Sequence, residues 1–388
     1  MKDIIFGCGS VGEAFFWNAA ESGRSVACFC DDRLAGKGNR FLGRDILTAG
    51  EALALYPDAV FLIAIPHAVH IVKSLVRQGA KHWRLAHEIL TDDGYREYAY
   101  TKQRLLAVQE VEECVQFHRG MNDPQRLIVR SVDLVITERC SLRCRDCSNL
   151  MQYYRSPMNL RPTELIRDVD RLLSHVDLLS ELRIIGGEPL MHPAFRLIVT
   201  ELLKRERIGR IVIFTNGTIV PEESALDALA NEKTTFMITD YGSLSGNVVK
   251  LEEQLSARGI SYFTNPIEEW NDCASIVRHG RSLADLTALF DACCAKNLTT
   301  LLHGRLYRCP FMANATNLKA IRSASEDSVK LLDLVEMPHG TAKETLRDFL
   351  YRRDCFAACD ACAGRPYGAK GIPPAIQAAH PLPYVEAP

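Results

Sequence analysis

No stretch of this 388-residue chain approaches the roughly 20 consecutive apolar residues that span a bilayer. The longest apolar run, "AVFLIAIP", stops at Pro66 and reads as a buried strand, so no membrane partner is expected. A charge excess of one sign is also lacking: 46 Lys and Arg stand against 48 Asp and Glu, a formal net charge of −2. Gripping nucleic acid phosphates without regard to sequence needs a strong basic excess, so no nucleic-acid partner is expected either. The start of the chain, "MKDIIFGCGS", has neither the apolar stretch nor the cleavage site of an export signal. A reducing, cytoplasmic location is therefore expected, where disulfides are rare.

Cysteine is plentiful by contrast, at 14 residues. Two runs share one spacing: "CSLRCRDC" from Cys140 to Cys147, and "CFAACDAC" from Cys355 to Cys362. In a reducing compartment such clusters point to metal ligands or catalysts rather than disulfides. Cys8, Cys28, Cys30 and Cys114 are scattered through apolar segments and read as ordinary buried thiols. A C-x3-C-x2-C loop can converge three thiolates on one metal centre. Structural zinc wants four closed ligands, and no His or fourth Cys lies near Cys147 in sequence. A disulfide leaves one thiol over. An iron–sulfur cubane on three thiolates keeps one iron open to a ligand.

The rest of the chain reads as α/β. Residues 1–95 alternate strand and helix, which predicts a Rossmann-like, doubly wound parallel sheet. Gly7, Gly9 and Gly12 fall between its first strand and first helix, where phosphate would meet backbone N–H groups. Asp31 ends the next strand, where an acid reaches a ribose hydroxyl. The competing reading is a tight turn that binds nothing. Residues 96–125 read as a helical connector closed by Gly120.

A second alternating series follows, with strands ending before Cys140, Gly186, Thr215, Asp240, Asn265 and His303. Helices are predicted near 162–175, 194–206, 221–231, 247–258 and 281–291. That is about six strand–helix units over 126–292, an incomplete barrel. "GGEP" (Gly186, Gly187, Glu188, Pro189) ends the second of these strands and "TNG" (Thr215–Gly217) the third. The C-terminal ends of parallel barrel strands share one face, so both features lie on the rim that carries the Cys140 loop. A Gly-Gly backbone lets a small ligand approach closely, and Glu188 can accept a hydrogen bond from an ammonium group. Asn216 and Asp240 follow strands three and four, and Tyr241 is a weak candidate to face substrate; as plain alternatives each caps a strand end or a helix. His192 reads as a helix-start residue, and Trp270 and Tyr307 as packing. The tail, 366–388, is rich in Pro, Gly and Ala without periodicity and reads as extended or mobile.

Triad, "GGEP" and "TNG" in this order resemble the radical S-adenosylmethionine (radical SAM) superfamily, over roughly residues 130–365. The resemblance implies a [4Fe–4S] cluster on Cys140, Cys144 and Cys147, with S-adenosyl-L-methionine (AdoMet) on the open iron and its amino group held by "GGEP". Asn216 and Asp240 would reach AdoMet. One-electron cleavage of AdoMet would give a 5′-deoxyadenosyl radical that abstracts hydrogen from substrate, fed by a donor such as flavodoxin or ferredoxin. The family often has an aromatic residue before the third cysteine, where this chain has Asp146.

The stretch "CCAKNLTTLLHGRLYRCP", read with Cys355–Cys362, resembles the twitch or SPASM extension of such enzymes, placed at 293–365. It implies a second, auxiliary [4Fe–4S] cluster on Cys294, Cys309, Cys359 and Cys362, with Cys293 and Cys355 competing and structural zinc as the alternative. The N-terminal domain resembles the Rossmann-like domains that precede sugar-modifying acyltransferases, some of which bind nucleotide-sugars. Together these imply oxidation or epimerisation of a sugar or nucleotide-sugar. The competing classes are a peptide-modifying maturase and a non-catalytic iron–sulfur redox or scaffold protein.

Overall fold

Strand β1 (Asp3–Phe6) is buried along its whole length, and the other strands of the first unit are laid out around it. The computed structural model describes residues 2–36, 38–90, 105–123, 125–322, 324–366 and 369–387, so the first part of the expected connector lies outside the described residues. The chain divides into two compact units, Met1–Ile128 and Val129–Pro388.

In the first unit β2 (Val26–Cys30), β3 (Arg40–Phe41), β4 (Arg44–Leu47), β5 (Val60–Ile63) and β6 (His82–Leu85) join β1 in the order β3-β4-β2-β1-β5-β6. All pairings are parallel except the β3–β4 hairpin. The sequence reading missed that hairpin, whose two-residue turn puts both Leu42 and Gly43 at positive φ. The helix Ser10–Glu21 follows β1, and the helix Ala68–Arg77 follows β5. The chain runs outward from β1 through β2 and β4, then returns to β1's other side with β5. Its order therefore reverses between β1 and β5. The helix Leu105–Asn122 is held to this unit by His118, whose Nδ1 accepts from Ala86 N (2.8 Å) and whose Nε2 bonds Ile65 O (2.9 Å). Burial pushes that imidazole down to about 4, so it stays neutral.

The second unit carries β7 (Ile128–Thr137), β8 (Leu178–Gly186), β9 (Ile208–Thr215), β10 (Thr234–Asp240) and β11 (Ser261–Pro266). Helices Pro162–Leu173, Phe195–Leu203, Glu223–Leu229 and Val248–Ser256 separate them, close to the expected ranges. After the short β12 (Trp270–Asn271) come β13 (Thr300–Leu302), β14 (Arg305–Tyr307) and β15 (Ser328–Lys330). The sheet order is β11-β10-β9-β8-β7-β13-β14-β15. The sixth expected strand, β13, thus lies parallel to the first, β7, instead of extending the sheet beyond β11. From there β14 and β15 continue antiparallel, the β13–β14 hairpin turning at His303–Gly304.

Among its described residues the tail carries only one two-residue strand. It is extended but tied down: β16 (Gly371–Ile372) pairs antiparallel with β12, Leu382 N donates to Gln152 O (2.8 Å), and Ala387 N donates to Lys319 O (2.8 Å). Among the described residues no helix is long and apolar enough to cross a membrane.

Candidate active site at the strand ends of the second unit

The end of β7 delivers the triad loop, and the ends of β8 and β9 close on it. A Cβ on Gly186 would stand 2.2 Å from Thr137 O, and one on Gly187 would stand 2.3 Å from Arg139 O. Both glycines are therefore required by the chain's own backbone: they let β8 end flush against the loop that carries Cys140. Gly187 N donates to Thr137 O (2.9 Å) and Glu188 N to Arg139 O (2.8 Å), and Asn149 Nδ2 donates to Gly186 O (3.2 Å).

Glu188 is fully buried. Its Oε1 accepts from Leu190 N (3.1 Å) and its Oε2 from Asn216 N (2.8 Å), so it ties the end of β8 to the end of β9. Burial pushes its carboxyl up to about 7 against those hydrogen bonds. Asn216 lies where the sequence placed it, beside the triad: its Nδ2 donates to Ser141 Oγ (3.0 Å) and lies 3.7 Å from Cys140 Sγ. Asp240 behaves as a cap, accepting from Gly242 N (2.8 Å) on Oδ1. Pro189 opens a short helical turn, and His192, also buried, accepts from Ala194 N (3.0 Å) just ahead of the next helix.

Cys140, Cys144 and Cys147 line a cavity of about 310 Å³ together with Gly186, Gly187, Asn216 and Tyr241. Burial raises all three thiols, Cys144 to about 11; the charge of Cys147 adds to the rise at Cys140 and Cys144, and that of Cys144 to the rise at Cys140. Without a metal they are neutral, so ligation would release protons. N–H groups are aimed at the sulfurs: Gln377 Nε2 on Cys144 (3.2 Å), and the backbone of Leu142 on Cys140 and of Asn149, Leu150 and Met151 on Cys147. Such donors suit sulfur that carries negative charge, so this donor set fits an iron–sulfur cluster. Among the described residues no three His, Cys, Asp or Glu side chains are disposed to share one metal ion.

Several cavity residues were not legible as such. Tyr241 packs edge-on against Trp270 (ring centroids 5.6 Å apart), and both line the cavity, so Trp270 is more than packing. Deeper along the strands Asp133 (β7) and Arg183 (β8) form a lining ion pair of 3.3 Å, with the guanidinium 4.7 Å from the centre of the Phe214 ring. Burial pushes the Asp133 carboxyl up to about 6 despite that arginine. Arg365 also lines the cavity; its buried Nε has no hydrogen-bond partner, and its charge acts on Cys147 as well as on Cys273 and Cys309.

A second group of thiols gathers where the C-terminal runs meet. Cys309 Sγ accepts from Met312 N (3.5 Å), Cys362 Sγ from Gly364 N (3.4 Å), Cys293 Sγ from Ala295 N (3.4 Å) and Cys294 Sγ from Asn271 Nδ2 (3.8 Å). Burial pushes Cys309 up to about 12, with Cys293 and Cys362 adding to it; Cys359 is raised by burial and then by Cys309 and Cys293. Cys294 instead neighbours Cys362, Cys273 and Arg365. The turn from Cys359 to Cys362 is gripped by Arg281, whose Nη1 donates to the carbonyls of Cys359, Asp360 and Cys362 (3.2, 3.2 and 2.8 Å). Tyr307 is buried.

In the first unit Gly7 sits at positive φ, and a Cβ there would stand 2.7 Å from Ile65 Cγ2. A Cβ on Gly12 would stand 2.1 Å from Gly7 O, whereas one on Gly9 would meet nothing within 4 Å. Asp31 Oδ1 accepts from Arg33 N (3.0 Å) and Leu34 N (3.2 Å), closing its own turn.

Residues 134–239 match the family model of the radical SAM superfamily. That family implies a [4Fe–4S] cluster and AdoMet. Among curated proteins the chain is similar to the GTP 3′,8-cyclases of Clostridium acetobutylicum (32% identical over 24% of this chain and 30% of that protein) and Syntrophomonas wolfei (31% over 32% and 42%). The chain thus spans less than half the length of the curated relatives it matches. Among solved structures it is similar to BtrN in complex with AdoMet and 2-DOIA (16% identity, TM-score 0.41, 62% of this chain and 94% of that one). It is also similar to Streptococcus suis SuiB bound to S-adenosylmethionine (12%, TM-score 0.31, 83% and 89%).

Proposed function

We propose that the protein is a radical SAM enzyme acting on a sugar or nucleotide-sugar, with its cluster held by Cys140, Cys144 and Cys147. One observation carries this reading: a single cavity wall unites the three thiols of one loop, the Gly186–Gly187 backbone and the side chain of Asn216. When bound, the cluster and AdoMet supply one-electron cleavage and a 5′-deoxyadenosyl radical able to take hydrogen from substrate. The chain's own residues hold the geometry. Glu188 fixes the two strand ends, and Gly186 and Gly187 give AdoMet's amino group backbone carbonyls rather than a free carboxylate. Tyr241 and Trp270 form an aromatic wall that excludes water. The Asp133–Arg183 pair presents a polar face to a substrate rich in hydroxyl groups. Arg365 places a positive charge between the triad and the second thiol group.

That second group supports an auxiliary [4Fe–4S] cluster on Cys309, Cys359, Cys362 and one of the two adjacent cysteines. Cys294 stands beside Cys362, and Cys293 competes with it as a neighbour of Cys309 and Cys359. Such a cluster can accept an electron from a substrate radical, which suits net oxidation; flavodoxin or ferredoxin would supply the first electron. Taken by itself, the first unit supports a nucleotide or nucleotide-sugar site at the glycine turn after β1, next to the point where its strand order reverses. The curated relatives align over about a third of this chain or less, so their named reaction on GTP is not carried over.

The test is anaerobic reconstitution. Wild-type protein should hold about eight irons in two cubanes. Replacing Cys140, Cys144 and Cys147 together by Ala should remove about half of the iron and all reductive cleavage of AdoMet. Cleavage surviving in that triple variant would remove the basis of the assignment.

A further inference from the structure

The C-terminal tail is bonded to both thiol groups. Its strand β16 pairs with β12, where Trp270 lines the cavity and Asn271 Nδ2 donates to Cys294 Sγ. A few residues on, it runs antiparallel beside the triad loop. Arg145 N donates to Ile376 O (2.8 Å) and Ala378 N to Arg143 O (2.7 Å), with Cys144 and Gln377 bridged between them. The Gln377 side chain uses both ends of its amide. Its Oε1 accepts from Arg143 N (2.8 Å), while its Nε2 donates to Ala375 O (2.7 Å) and to Cys144 Sγ (3.2 Å). The backbone N–H at one end demands the oxygen, which leaves the nitrogen to face sulfur. Cys144 is the most buried of the three triad cysteines, at 8% exposure.

We propose that residues 371–379 are part of the cluster site: a strap along the triad loop, in which Gln377 is a positioning residue that holds Cys144 and tunes its sulfur. The proposal rests on the radical SAM reading above. An N–H···S bond draws charge from a ligand sulfur and so favours the electron-rich reduced cluster, raising its potential. A tail without any recognisable pattern would then set how readily the cluster accepts the electron that AdoMet cleavage needs.

Two measurements test this on the full chain. In a Cys309→Ala/Cys359→Ala background, which leaves the triad cluster to be read alone, a redox titration followed by electron paramagnetic resonance compares Gln377 variants. Gln377→Leu should move the midpoint to more negative potential and change the spectrum at unchanged iron content. Gln377→Glu, which keeps the acceptor for Arg143 N but turns oxygen toward sulfur, should move it further. An unchanged midpoint and spectrum in both overturns the role of Gln377. Separately, in protein free of iron, deletion of 371–388 should raise alkylation of Cys144 by iodoacetamide severalfold, measured by peptide mapping. An unchanged rate overturns the strap. Wild-type protein that takes up no triad-dependent iron instead overturns the radical SAM reading, and the alkylation result still decides the strap.

Discussion

At Glu188 the cost of burying a carboxylate works against two backbone hydrogen bonds, and burial dominates, holding the group near 7. The unfolded chain ionises it near the ordinary value of 4.5. Between those values the folded state binds the extra proton, so this group's contribution to stability is complete below about 4.5 and is lost as pH rises to about 7. The full effect is on the order of 3 kcal/mol. Glu188→Gln should abolish that slope while costing about 1–3 kcal/mol, since its NH2 end faces an N–H left without an acceptor. Urea midpoints of the second unit at pH 5 and pH 8 check this; equal pH dependence in variant and wild type would refute the buried-carboxyl account. Gly187 makes a sterically simpler case. Its missing Cβ would press on Arg139 O, a backbone atom that cannot step aside. Gly187→Ala should therefore destabilise by about 1–3 kcal/mol and lower the iron bound at the triad. Wild-type iron content and urea midpoint in this variant would show that the close approach is not needed.

Elements were legible where a local period exists. Helices such as Phe195–Leu203 and Val248–Ser256 show the 3.6-residue pattern, and β9 and β10 carry the short apolar runs Ile211–Phe214 and Phe236–Ile238. The triad loop, "GGEP" and "TNG" could be read for the same reason: each is a short segment whose position relative to a strand end follows from the chain alone. What escaped notice depends on partners distant in sequence. The strap carries no period of its own, and its order comes from bonds such as Arg145 N to Ile376 O. Asp133 and Arg183 look like exposed charges interrupting apolar strands until β7 and β8 set them beside each other over the cavity. Trp270 sits in a two-residue strand whose partner, Gly371–Ile372, lies far along the chain. Glu188 was found but its partners were not: the acceptor expected for an ammonium group is already committed to the N–H groups of Leu190 and Asn216.

At the scale of the whole molecule, two units with separate sheets assign the chemistry to one and leave the other to be explained. In the first unit three glycines of one turn have different reasons to be glycine. Gly7 and Gly12 are required by the fold, because a Cβ on either would collide with Ile65 or with Gly7 O. Gly9 is not: it precedes the helix Ser10–Glu21 and faces open space. Open space at a helix N-terminus, next to the point where strand order reverses, suits the pyrophosphate of an activated sugar, which needs backbone N–H groups unshielded by a side chain. Asp31, engaged in its own turn, would still have its second oxygen for a ribose hydroxyl. Substitution at Gly9 therefore separates ligand binding from folding, which substitution at Gly7 or Gly12 cannot do. In the full chain Gly9→Val should weaken binding of a nucleotide-sugar at least tenfold by calorimetry, about 1.4 kcal/mol. Iron content and AdoMet cleavage should stay at wild-type values. If wild-type protein binds neither nucleotide-sugars nor nicotinamide cofactors, the glycine turn is a structural feature of the sheet, and substrate recognition falls to the cavity of the second unit alone.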